Sequence, residues 1–487
     1  MAADGLWQLW VPLLAWPAAM GLLSLALGRW ADVHLRRLLA GLGCVGALIA
    51  LLAAFRWPPA PLVVLESGWG LASAGPLVLA VDSLNLPVAL LAAVAALAAV
   101  AYRPAAGDGG GWAATALAGG LLALFGGNLL TFLVGCALCD LFLLWPTLAA
   151  GERSAAAPWP VLLLGLVLLL APPRLALAFD GGVWPPWALH AAGLAGLWLA
   201  GVCPMRRSLP PGGAGAQAFV TLLGAGVGWS LAARALALGW AEQPGWGAWL
   251  PLAMLALLWS AVRLWFSPAP SFPLLLANRI TVFAATLLIA PVAGGAASLW
   301  ALLGLGLGVV LWHSGERNGT WARGAALLLL VGLPLTPAFA GRLAAASAPQ
   351  ILPWLLAVDA LALAAFLPPW AGLRRWEGWG DRAFPALLAL GGVGGMAALA
   401  LGPRPTDAGA WLYGVLSAVG GLAGAAALAW ARGALAARWP GRPRRSVRSG
   451  VGAGLSAAAA GALSLWEGPA GLLWGLLLLV VLASLGR

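Results

Sequence analysis

The chain predicts an all-α fold: a polytopic membrane helix bundle of roughly 14 to 17 spans, two of them broken, with a short β-hairpin on one side. Three observations predict it. The 487 residues are 62% hydrophobic and only 8% charged, with a mean hydropathy of +0.95, whereas soluble domains carry about 25% charged residues. Apolar runs of spanning length recur along the whole chain, separated by short polar breaks. The basic residues, all 26 of them arginine, alternate between those breaks.

The runs read as spans 6–28, 35–55, 83–102, 112–127, 129–149, 160–180, 185–204, 214–239, 247–265, 272–292, 294–312, 320–345, 350–368, 383–402, 409–431, 447–464 and 468–485. A helix crosses the hydrocarbon layer with about 20 residues, so the shorter runs read as tilted or half-helices. Three parts follow: N-terminal helices and hairpin (1–110), a core with broken helices (111–345), and C-terminal helices (346–487). Odd-numbered breaks hold Arg29, Arg36 and Arg37, then Arg103, Arg153, Arg206 and Arg207; the stretch from Arg432 to Arg448 holds six more. Even-numbered breaks hold few. Positive loops stay inside, which places the 432–448 loop in the cytoplasm and the 56–82 break in the periplasm of a bacterial inner membrane. Within that break, two β-prone runs flank a Gly-rich turn and predict the hairpin. Most of the 30 tryptophans belong to interfacial belts at run ends.

The net charge of +11 is spread singly or in pairs between apolar runs, so nucleic acid is not the partner. The 432–448 loop serves topology or touches anionic lipid or a peripheral subunit. The four cysteines all lie in apolar runs and imply no disulfide framework. Cys136 and Cys139 lie in one run with no second Cys or His pair nearby, so helix packing is their expected role and no metal is expected. No nucleotide loop, Ser/His/Asp constellation or haem-attachment motif occurs, and no cofactor is expected.

Five stretches share order and spacing with a known family: VDSLNLP at 81–87, GNLLTFLV at 127–134, CPMRRSLP at 203–210, LGLGVVLWHSG at 305–315 and VGLPLTPAFAGR at 331–342. Together they resemble the antiporter-like membrane subunits shared by respiratory complex I, Mrp-type Na⁺/H⁺ antiporters, membrane-bound hydrogenases and inorganic-carbon-accumulating complexes. The matching family patterns are VDGLS, NLLxxFxxWEL, LPLxxWL, HATG and AGLPPLAGFFSK. The resemblance spans residues 8–345. It implies broken helices near Gly212–Gly213 and Gly332–Pro334, other membrane subunits as partners, protons or cations as cargo, and a role as a non-catalytic subunit beside a redox or carbon-chemistry partner.

The family's ionisable residues map poorly. Its fifth-helix glutamate falls on Ala137 and its seventh-helix lysine on Leu199. Its twelfth-helix lysine falls on Arg342, which keeps the cation. A guanidinium effectively never releases its proton, so it cannot replace lysine as a carrier. The chain reads as a degenerate member with lost lysines, a reduced-function or structural subunit. The absence of lysine also fits a GC-rich codon bias. An independent transporter or a membrane-embedded transferase outside this family is the other class open to such a sequence. A transferase would show charged residues in an external loop, where only Glu66 is available.

The candidates for ion translocation are Asp140, Arg342, Asp359 and His190. Asp140 shares a helix face with Ala137, three residues away. It is a displaced version of the family's acid or a protonated carboxyl bonded to a neighbouring helix. Arg342 follows the predicted second break and pairs with Asp359 or snorkels to the interface. Asp359 is that partner or a functional acid. His190 is a titrating group or a hydrogen-bonded core residue. Asp82 is expected to be structural, as the N-cap of the third helix.

Overall fold

The computed structural model describes residues 9–28, 30–56, 62–65, 76–82, 85–101, 110–149, 159–170, 177–202, 214–266 and 272–289, with single positions scattered between 302 and 424. In chain order the elements are α1 (Val11–Ala26), α2 (Val33–Arg56), β1 (Leu62–Leu65), β2 (Leu77–Leu79), α3 (Asn85–Ala101), α4 (Gly111–Leu124), α5 (Leu129–Ala149), α6 (Trp159–Leu170), α7 (Pro186–Ala200), α8 (Ala214–Ala237), α9 (Trp249–Phe266) and α10 (Phe272–Ile289). The described part is mainly helical, as its Ala- and Leu-rich runs dictate. Short 3₁₀ turns at Trp240–Glu242 and Trp246–Ala248 lead into α9. The first turn of α1, Val11–Ala15, is a π-helix. Pro17 follows it and has no N–H to return to the preceding turn, which favours the wider pitch.

The chain forms two compact units. The first comprises residues 1–201, 207–244 and 467–487 and contains α1 to α8; the second comprises 202–206 and 245–466 and contains α9 and α10.

In the first unit α4 is the central helix. Nearly every residue from Gly111 to Leu124 is buried. It packs on α5 and α1, and also touches α2, α3 and α8. The α4–α5 crossing is a backbone contact: a Cβ on Gly119 would sit 2.6 Å from the Cys139 nitrogen, and one on Gly135 would collide with the Ala123 nitrogen. The α7–α8 crossing is built the same way, with Gly196 against the Gly228 carbonyl and Gly228 against Ala200. Apolar helices gain no hydrophobic advantage from pairing in lipid, so close backbone approach at small residues supplies the attraction.

The outer face of α2 shows where the apolar surface goes. Leu35, Leu38, Leu42, Val45, Ile49 and Leu52 are each more than a third exposed. They recur at intervals of three and four residues, which is one stripe of the helix. A continuous exposed stripe of this kind suits hydrocarbon and not water. Among the described residues, Val33–Arg56 and Phe219–Ala237 are long and apolar enough to cross a membrane, and shorter apolar helices accompany them.

β1 and β2 pair antiparallel, Leu62 with Leu79 and Val63 with Val78, with an irregularity between Val63 and Leu65. β2 docks on the turn between α4 and α5. The Gly127 N–H donates to the Val78 carbonyl at 2.8 Å, and the Ala80 N–H donates to Phe125 at 2.8 Å. The other side of that turn holds the segment before α7: Leu129 donates to the Leu177 carbonyl and Phe179 to that of Gly127. Asn128 and Thr131 lock the arrangement from within. Asn128 donates to the Pro76 carbonyl at 2.5 Å, Thr131 donates to Asn128 Oδ1, and the Val78 N–H donates to Thr131 Oγ1. So the strand pair, the α4–α5 turn and residues 177–179 form one cap over one end of the first unit.

Candidate charge centre

Under that cap, three helix ends meet at an ion pair. Asp82 precedes α3, and its Oδ1 accepts the Asn85 N–H at 2.6 Å, which satisfies one orphan donor of the helix start. Its Oδ2 accepts from Asn85 Nδ2 at 2.5 Å and from Arg234 Nη2 at 3.1 Å. Arg234 lies one turn from the end of α8, with 10% of its side chain exposed against 40% for Asp82. The same Nη2 donates to the Leu124 carbonyl at 2.7 Å, and Asn85 Nδ2 reaches that carbonyl at 2.9 Å. Leu124 is the last residue of α4, so its carbonyl has no partner within its own helix. The guanidinium carbon stands 4.5 Å over the centre of the Phe179 ring. That ring in turn stacks on Trp184, whose indole donates to the Ala178 carbonyl.

The electrostatics follow from the helix ends. The carboxylate sits at the positive start of α3 and the guanidinium at the negative end of α4, so both charges are favoured by the backbone as well as by each other. Phe179 adds a cation–π face. Chemically this is a pin. Both carboxylate oxygens are taken, and the guanidinium cannot give up a proton. One guanidinium nitrogen, Nη1, is buried without a hydrogen-bond partner among the described residues.

A second buried polar group lies in the second unit. Arg279, on α10, donates through Nε and Nη2 to Asn278 Oδ1 at 3.1 and 2.6 Å. Asn278 Nδ2 donates to Ser260 Oγ on α9 at 2.7 Å, and that hydroxyl donates to the Leu257 carbonyl. The chain of bonds ties α9 to α10. Asn278, Arg279 and Ser260 are all buried.

The sequence candidates are distributed as follows. Asp82 caps α3 and also holds Arg234. Asp140 lies on α5, half-buried, on the face that carries exposed Ala137 and Leu141, while Cys136 and Cys139 are buried on another side. His190, on α7, is buried: Trp240 Nε1–H donates to its Nδ1 at 2.9 Å, and its Nε2 lies 2.9 Å from the Pro244 carbonyl. An Nδ1 that accepts leaves the proton on Nε2, which donates to Pro244. The ring is thereby fixed as one neutral tautomer. Arg342, Asp359, the two expected breaks at Gly212–Gly213 and Gly332–Pro334, and the 432–448 loop lie outside the described residues. Among the described residues no group of three His, Cys, Asp or Glu side chains could hold a metal ion. Arg234 and Arg279 are the residues that sequence reading missed. Their signal in the sequence is a guanidinium inside an apolar run.

No family profile and no curated protein sequence matches the chain. Solved structures do match. A chain of respiratory complex I from Thermus thermophilus with bound aureothin is 18% identical, with a TM-score of 0.51 over 84% of this chain and 96% of that one. A chain of the membrane-bound sulfane sulfur reductase, an archaeal respiratory membrane complex, is 16% identical, with a TM-score of 0.50 over 85% and 75%. A chain of the Mrp complex from Dietzia sp. DQ12-45-1b is 17% identical, with a TM-score of 0.51 over 94% and 56%. The chain therefore has the fold of a membrane subunit. Complex I and the Mrp complex are among the assemblies that the five sequence stretches resemble.

Proposed function

We propose that the chain is an integral membrane subunit of a multi-subunit proton- or cation-translocating complex, and that it serves there as a structural or reduced-function member. Its partners are other membrane subunits of that complex and the surrounding lipid, with protons or cations as the transported species. The observation that carries this reading is the chemistry of the buried cations. The chain has no lysine anywhere, and Arg234 is held at once by Asp82, the Leu124 carbonyl and the Phe179 ring. A relay needs groups that gain and lose protons near neutral pH. A pinned guanidinium supplies rigidity instead.

Asp140 and Asp359 remain the acids through which residual transport would pass, and Arg342 remains the cation proposed as the partner of Asp359. His190 does not join them readily in this reading: protonating Nδ1 removes the acceptor of the Trp240 bond. The test is purification of the tagged full-length chain from its native membrane in mild detergent, followed by identification of what comes with it. Stoichiometric recovery of other membrane subunits is expected. Recovery of the chain alone, with transport activity of its own in vesicles, would overturn the proposal.

A further inference from the structure

We propose that the groove between the start of α2 and the end of α3 binds an anionic phospholipid, with the phosphate at His34 and Arg37 and an acyl chain along Leu38, Leu42, Leu97 and Val100. The groove encloses about 390 Å³ and is lined by these residues. Its basic residues occupy the first turns of α2, where unpaired backbone N–H groups and the helix dipole also favour negative charge. Arg36 adds a further positive charge beside the groove, against one exposed carboxylate at Asp32.

The apolar walls decide between ligands. From Arg37 to Val45 the groove follows α2 for eight residues, about 12 Å at 1.5 Å per residue. Leu38 and Leu42 are 59% and 45% exposed along it. Gly41 opens the floor between them, since a Cβ there would meet nothing within 4 Å. A free phosphate would engage the basic end and leave this floor bare; a phospholipid covers both. The arginine distribution predicts that this end faces the cytoplasm, where anionic headgroups set the surface potential.

The experiment is native mass spectrometry on the full-length chain, delipidated in mild detergent and titrated with phosphatidylglycerol or phosphatidylcholine. Phosphatidylglycerol is expected to be retained about tenfold more strongly, the scale set by two basic side chains near a headgroup. The double variant His34→Gln/Arg37→Gln is expected to erase that preference. Gly41→Phe, which fills the floor without touching the charges, is expected to weaken both lipids about tenfold, with unchanged melting of the lipid-free chain as the folding check. Four outcomes would overturn the proposal. They are equal retention of the two lipids, a preference that survives the double variant, displacement of the lipid by millimolar inorganic phosphate, and stoichiometric cross-linking of Gly41→Cys to a neighbouring subunit in the intact complex.

Discussion

Arg234 and Arg279 are both arginines buried in apolar helices, and the two units accommodate them by different means. Arg234 lies a turn from the end of α8 and meets a carboxylate, a helix-terminal carbonyl and an aromatic face, all delivered by loops and helix ends. Arg279 lies mid-helix in α10 and turns two donors onto the neutral amide of the residue before it, which is anchored to Ser260 on the next helix. Position along the helix explains the contrast. At a helix end, breaks in the backbone expose carbonyls and allow a carboxylate to approach from a loop. In mid-helix the backbone is already paired, so side chains supply the acceptors, the Asn278 amide among them. Removing a charge and removing a dipole are therefore expected to differ in cost.

The largest effect is expected for Asp82→Ala. It leaves the guanidinium of Arg234 buried without its counter-charge, a loss of about 3–5 kcal/mol, and also removes the N-cap of α3, about 1 kcal/mol more. Thermal unfolding of the detergent-solubilised chain measures it. Arg234→Met is expected to cost less, because Asp82 is 40% exposed and keeps its bonds to Asn85. The double variant is expected to be more stable than the sum of the two losses predicts. Additivity would dissolve the pin.

Next comes Gly228→Leu. A side chain there meets the Ala200 backbone across the α7–α8 crossing, and overpacking of this kind costs about 1–3 kcal/mol. The measured quantity is the yield of monodisperse chain on size exclusion. A wild-type yield would mean that the two helices do not touch at this point.

Asn278→Leu tests the other side of the contrast. It removes the acceptor of two Arg279 bonds and the donor to Ser260, with an expected loss of about 1–3 kcal/mol, below that of Asp82→Ala. A larger loss than at Asp82 would reverse the proposed ranking of charge over dipole. Smallest of all is Trp240→Phe, which deletes one indole hydrogen bond to His190, about 1 kcal/mol by the same melting assay.

How much of this was legible in the sequence differs between elements and sites. The helices were legible because the apolar runs are long and end at polar breaks: run 35–55 corresponds to Val33–Arg56, and run 214–239 to Ala214–Ala237. The N-cap at Asp82 was legible because a short acid before Asn-Leu-Pro has a local job. Its partner was not. Asp82 and Arg234 are 152 positions apart, and the packing of α3 against α8 is what brings them together. The His190–Trp240 bond hides for the same reason, being a contact over 50 positions between a helix and a 3₁₀ turn. Arg279 could have been flagged from its run alone, as a cation among Leu, Ile and Ala.

The central claim is that this chain contributes structure more than a proton path of its own. The most direct measurement is proton uptake by reconstituted vesicles of the intact complex carrying Asp140→Asn, with complex yield followed in parallel. The structural reading predicts that most of the transport survives. Abolished uptake in a fully assembled complex would contradict it and make Asp140 the working acid of an active channel.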